Sequence, residues 1–205
     1  MGTFRRTIMA VLAALVLAAC SGGDSGTPGT SGGRSAGKAG GGAGGDPGIY
    51  FAVTDARVTS MAAQPGPFPE GVWGAVVDVL NAYLDRGMVR PLRTGDPPGE
   101  LEPLFTPAAF NRAVDADRIS VLEDGTTPIS GRVTADRATA ALELLTDRAG
   151  KPVLVNAAID VALTVRSKND AVAVSRAGQV VFIRDDVGWR IDSYDLRAAR
   201  DSQPA

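Results

Sequence analysis

An α+β fold is predicted for residues 49–200, on three observations. Residues 70–89 repeat apolar side chains every three or four positions, the period of a helix with one buried face. Beyond Ile119 the period drops to two, across four long stretches. The turns between those stretches are so short that neighbouring strands must run antiparallel. The expected architecture is N-terminal helices packed on one face of an antiparallel sheet of four long strands.

Residues 49–59, with Tyr50, Phe51, Val53 and Val58, read as a strand or extended arm opening the domain. Pro65, Pro67 and Pro69 then make a stiff connector. In the helix, Val72, Trp73, Val76, Val77, Leu80, Leu84 and Met88 form the apolar stripe, with Asp78, Asn81 and Asp85 opposite; Pro91 is expected to end it. Residues 100–105 suggest a further helical turn. Thr106-Pro107, a cap residue followed by proline at the first helical position, starts a short helix carrying Phe110 and Val114.

The four strands are placed at 139–146, 153–167, 171–184 and 189–196, separated by polar turns at 147–150, 168–170 and 186–188. In the second of them Val153, Val155, Ala157, Ile159, Val161, Leu163 and Val165 alternate with Asn156, Asp160, Thr164 and Arg166, which gives one apolar and one mixed face. Gly178 breaks the pattern of the third and is expected to mark a bulge. Residues 201–205 read as a disordered tail.

The N-terminus carries an address. Arg5-Arg6 precede an apolar run that closes on Leu17-Ala18-Ala19-Cys20, the layout of a secretory signal ending at a cysteine that receives lipid. Residues 7–19 are too short to cross a bilayer, which takes ~20 residues. Residues 1–19 are therefore expected to be a lipoprotein signal peptide, Cys20 the lipidation site, and the extracytoplasmic face of the cell membrane the location. Thirteen of the 28 residues from 21 to 48 are glycine, with no apolar period, so this stretch reads as a flexible tether with a coil span of roughly 30 Å.

Composition removes several functions. Without the leader's two arginines the chain has 19 basic and 23 acidic side chains, with no block of one sign, so nucleic acid is not an expected partner. There is no histidine, and Cys20 is the only cysteine. Intrachain disulfides, structural zinc and histidine-relayed nucleophiles are thereby excluded. Gly32–Lys38 fits a phosphate-loop pattern, and Gly40, Gly42 and Gly45 a dinucleotide pattern, but neither lies between a strand and a helix, and Ala39 stands where the loop needs Ser or Thr. Asp115, Asp117, Asp185 and Asp186 are loop acids, and Ile119 breaks the calcium-loop spacing. No metal and no cofactor are expected.

The order of a Trp-bearing helix, a short Thr-Pro-Ala-Ala helix and four strands closing on Asp186-Val187-Gly188-Trp189-Arg190-Ile191-Asp192 resembles the nuclear transport factor 2-like superfamily. The final strand is similar to that of actinobacterial envelope lipoproteins and mammalian-cell-entry-associated proteins of this fold. The resemblance covers residues 70–197. It implies a curved, cone-like sheet whose interior is a ligand pocket in some members and filled in others, so fold alone supplies no activity.

Asp160 is the residue to test against the isomerases of that superfamily. Inside a dry cavity its pKa would rise and it would act as a base at a carbon acid. Its parity with Asn156, Thr164 and Arg166 puts it on the mixed face, and neither Tyr83 nor Tyr194 matches an isomerase donor motif, so no catalytic residue is assigned. Trp73, Val77, Phe110, Ile159, Phe182 and Trp189 are the candidate pocket walls, with core filling as the competing role. Arg166, Arg176, Arg184 and Arg190 are expected on a solvated sheet face, paired with Asp160, Asp185 and Asp192, with an anion-binding strip as the alternative. The expected function is a non-catalytic, lipid-anchored module that binds an envelope protein or a lipid-like component. A hydrophobic-ligand carrier using the cone cavity is the alternative, and an isomerase-like enzyme has least support.

Overall fold

The computed structural model describes residues 48–60, 66–123, 130–168 and 170–204, with side chains up to Asp201. The leader, Cys20 and residues 21–47 of the tether lie outside the described residues, all of which belong to one unit, Gly45–Ala205. The fold is α+β, with helices on a five-stranded sheet. Its strands are β1 (Ala52–Ser60), β2 (Arg132–Thr146), β3 (Pro152–Arg166), β4 (Asp170–Arg184) and β5 (Trp189–Pro204), in that spatial order.

The sheet departs from the expected four-stranded antiparallel meander in one respect. The stretch at 49–59 is a true strand, and β1 pairs parallel to β2, so the sheet is mixed. The helical region between them carries the chain back before β2 starts, and a parallel neighbour needs such a long crossover. Two strands also outrun their alternating patterns. β2 begins at Arg132, where Thr134, Asp136 and Arg137 are polar; Thr134 and Arg137 pair with β3 on either side of a register shift at Asp136. β5 continues through the expected tail, its last residues paired with Val172, Ala171 and Asp170 of β4. Backbone pairing to a long neighbour holds these ends, whatever their side chains.

The first helix, α1 (Glu70–Leu84), buries Val72, Val76, Leu80, Tyr83 and Leu84. Pro91 does not end it. A π-helical turn, Asp85–Val89, leads into α2 (Arg90–Thr94), which stops at Gly95 in the left-handed region (φ +79°). The absent Pro91 N–H would have reached the Gly87 carbonyl, four residues back. That carbonyl instead accepts from the Glu123 N–H at 2.8 Å, so the helix passes the proline with no orphaned acceptor.

A 3₁₀ turn at Glu102–Leu104 precedes α3 (Pro107–Val114), capped as expected by Thr106, whose hydroxyl accepts from the Ala109 N–H. The four-residue α4 (Arg118–Val121) follows. The Thr106 N–H donates to the Ile191 carbonyl at 2.8 Å and Phe105 bridges Ile191, which seats α3 against β5.

Val155, Ala157, Ile159, Val161, Leu163 and Val165 all face the core, in the predicted register. Burial alternates straight through Gly178, with Val174, Arg176, Val180 and Phe182 all inward. The expected bulge is therefore not at Gly178. It falls between Val181 and Phe182, where β5 carries Asp192 as the extra residue. Gly178 has a different purpose: its φ is +147°, and a Cβ there would lie 2.0 Å from the Asp195 carbonyl oxygen. Tyr83, Phe105 and Phe182 anchor the interior, each full burial contributing about 1.5–3 kcal/mol.

Candidate functional site

Arg176 is the side chain that the sheet pattern does not explain. It occupies an inward position on β4 between Val174 and Gly178, opposite Val161 on β3 and Ala198 on β5, and is 4 % exposed. A charge in that row requires dedicated partners. Its Nη1 donates to the Ser175 carbonyl at 2.9 Å. Its Nη2 faces three acceptors: the carbonyls of Ile119 (3.1 Å) and Leu122 (3.0 Å), and Oε2 of Glu123 at 3.1 Å.

Glu123 is as deeply buried, and its Oε1 accepts from Nη1 of Arg200 at 2.6 Å. Arg200 reaches inward from β5 with 28 % of its side chain exposed. The three residues form an Arg–Glu–Arg triad.

Local structure explains why the triad sits there. A four-residue helix cannot satisfy its own C-terminal carbonyls. Arg176 takes those of Ile119 and Leu122, while the Tyr83 hydroxyl donates to that of Val121 at 2.5 Å. The Glu123 N–H is tied to Gly87 in the π-helical turn, so segment 119–123 is pinned to α1 through Tyr83, to that turn and to the sheet. A cationic group at a helix C-terminus also complements the helix dipole.

A cleft of about 210 Å³ opens beside the triad, lined by Ile119, Leu122, Glu123, Arg176, Ala198, Ala199 and Arg200. The Arg176 Nε–H, sealed from solvent in this wall, has no acceptor. Ile119 stands at the cleft's edge with 73 % of its surface exposed.

The sequence-derived candidates are distributed elsewhere. Ile159, Phe182 and Trp189 are closed into the core. Trp73 and Val77 are partly buried on α1, Trp73 edge-on to Phe68 at 5.9 Å. Phe110 borders a second cleft of about 210 Å³, with Leu101, Val114 and Leu122. Asp160 lies on the outer sheet face, paired with Nε of Arg137 at 2.6 Å, both groups about half exposed.

The four arginines do not share a face. Arg166 and Arg184 are exposed at strand ends, and Arg190 pairs with Asp185 and donates to the Phe105 carbonyl. Arg176 points into the core; Arg184 has the same parity on β4 but lies at the open end of the strand. Among the described residues no three His, Cys, Asp or Glu side chains cluster to hold a metal, and no helix is long and apolar enough to cross a membrane.

Set against known proteins, the chain matches no family model, no curated protein and no solved structure.

Two tyrosines next to this region carry a pH signature. Burial drives the Tyr83 phenol well above its ordinary value, partly offset by the nearby Arg176 charge. Tyr194 is pushed up to about 12, first by burial and then by its hydrogen bond to Asp117 and that carboxylate's charge. Both phenols hold their protons longer in the folded chain than in the unfolded one, where tyrosine titrates near pH ~10. Their contribution to stability is complete below that value and is lost as pH rises from ~10 through the folded pKa. Urea midpoints are expected to fall steeply above pH ~10, and Tyr194→Phe to flatten that fall. An equally steep fall in the variant would contradict this origin.

Proposed function

We propose that this chain is a lipid-anchored extracytoplasmic protein of the bacterial envelope. It acts as a non-catalytic module of the nuclear transport factor 2-like kind, binding an envelope protein or lipid-like component. The observation that carries the reading is Leu17-Ala18-Ala19-Cys20 at the end of a short apolar run, followed by a glycine-rich stretch. A non-catalytic role is supported by Asp160, which sits on the outer face against Arg137 and away from the core.

Anchoring by acyl chains contributes about 0.8 kcal/mol per buried methylene, and two or more chains hold stably where one is marginal. The tether then keeps the domain at high effective concentration near membrane-bound partners, so a weak intrinsic affinity suffices.

Cys20→Ala is the direct test. Wild-type protein is expected in the membrane fraction, starting at a cysteine whose mass includes acyl chains. The variant is expected in the soluble fraction or the medium. A variant that stays fully membrane-bound, or wild-type protein with a free thiol and an uncleaved leader, overturns the anchor.

A further inference from the structure

We infer that the end of the sheet carrying the 147–151 and 185–188 turns docks on the anionic phospholipid surface of the membrane that holds the chain. The inference rests on the lipid-anchor reading above and adds to it a defined contact face.

The first observation is where apolar surface is left over. Among the described residues, the large apolar side chains outside the core and not packed against it are Tyr50, Ile119 and a group at this one end: Leu145, Val153, Leu154, Val181, Ile183 and Val187. Leu145, Leu154 and Ile183 are cross-strand neighbours in a single row on the outer face. Val153 and Val187 extend it to the turns, 50 % and 78 % exposed. Single aliphatics scattered over a surface need no explanation, whereas a contiguous group does.

The second is the charge around that group. Arg148, Lys151 and Arg184 are exposed. Two of the three acids beside them are held back. Asp147 accepts from the backbone N–H groups of Ala149 and Lys151, and Asp185 from those of Val187 and Gly188 while pairing with Arg190. Asp186 alone of these acids is exposed. The outward excess is cationic, which suits anionic headgroups, and the long stems of Arg and Lys lie well along apolar surface.

The third is size. Four strands at ~4.8 Å spacing make this end only ~15 Å wide, so two side-chain rows cover ~200 Å². A stable protein contact takes about 800 Å² from each partner. A bilayer surface demands no such area once a tether supplies a high effective concentration.

Reach permits the contact. Ser60 of β1 pairs with Thr146 at this end, and Ala52 to Ser60 covers ~26 Å. Residues 21–48, with a coil span of roughly 30 Å, bridge that height unstretched. The opposite end, with Ser130, Arg166 and Lys168, is as close and also cationic, but has none of these aliphatics. Side chains, and not reach, select the docking end.

The test uses the mature lipoprotein on vesicles of equimolar phosphatidylcholine and phosphatidylglycerol. Cys20 is the only cysteine and is acylated, so Ala149→Cys or Ser130→Cys takes one fluorescent label. Quenching by lipids spin-labelled at headgroup depth is expected at position 149 and only at background level at 130. Adding Val153→Glu and Val187→Glu, both at exposed sites, should reduce quenching at 149 to background. Vesicles of phosphatidylcholine alone should lower docking about tenfold.

Protein that fails to float with the vesicles refutes the anchor and the docking with it. Protein that floats but is quenched equally at 149 and 130 refutes the docking alone. Docking is also overturned if the double glutamate variant, with an unchanged urea midpoint, stays quenched, or if quenching at 149 is undiminished on phosphatidylcholine. Disulfides forming between copies of unlabelled Ala149→Cys in place of quenching would assign this end to a second copy of the chain and overturn it too.

Discussion

Arg176→Leu is expected to destabilise the folded chain by about 3–5 kcal/mol, the cost of breaking a buried ion pair from one side. The loss has two parts. Glu123 keeps the partly exposed Arg200 as counter-charge, and the carbonyls of Ser175, Ile119 and Leu122 lose a donor, that of Leu122 in a buried position. Since segment 119–123 is tied to α1 through Tyr83 and to the π-helical turn through Gly87, its release should loosen helix and sheet together.

A double variant separates these contributions. In Arg176→Leu with Glu123→Leu no carboxylate is stranded, and replacing both members of a buried pair by apolar residues is often close to neutral. The double variant should therefore be more stable than the single one, with a coupling of about 1–3 kcal/mol in urea unfolding. Additive effects would mean that the charges in the triad act independently of each other.

Gly178→Ala is expected to cost about 3 kcal/mol or more, from a single methyl group. Two penalties coincide there. The backbone φ of +147° disfavours any L side chain, and the added carbon would sit 2.0 Å from the Asp195 carbonyl oxygen. Neither can be relieved without separating β4 from β5, and that pairing also positions Ala198 and Arg200 in the cleft. Gly150→Ala is the control. Gly150 also has a positive φ, +77°, but a Cβ there meets open space, so only the conformational term of about 1 kcal/mol applies. Equal thermal shifts in the two variants would show that the close approach to Asp195 carries no weight.

These two positions also mark where sequence reasoning stopped. Arg176 was expected on a wet face with Arg166, Arg184 and Arg190, and a bulge at Gly178 would have left its parity unlinked to that of Val180 and Phe182. With no bulge, Arg176 shares the parity of Val174, Val180 and Phe182 and must point inward. A valine row interrupted by one arginine was the available signal. Its meaning depended on a register set by β5 and not by the strand itself. Glu123 and Arg200 gave no local signal at all, since an acid after a short helix and an arginine near a chain end are ordinary surface features.

What the chain determines by itself is whatever short-range periodicity encodes. The α1 stripe, the inward row of β3, the Thr106 cap, the polar turns and the outer placement of Asp160 depend on helical or strand repeat and on neighbours a few residues away. Tertiary structure alone decided the fifth, parallel strand, the passage of the helix beyond Pro91, and the joining of Arg176, Glu123 and Arg200. Each of these rests on partners far apart in the chain, such as β1 with β2, Gly87 with Glu123, or Arg176 with Ile119. No local window contains both halves of such a pair; the burial of one half creates the need that the other meets.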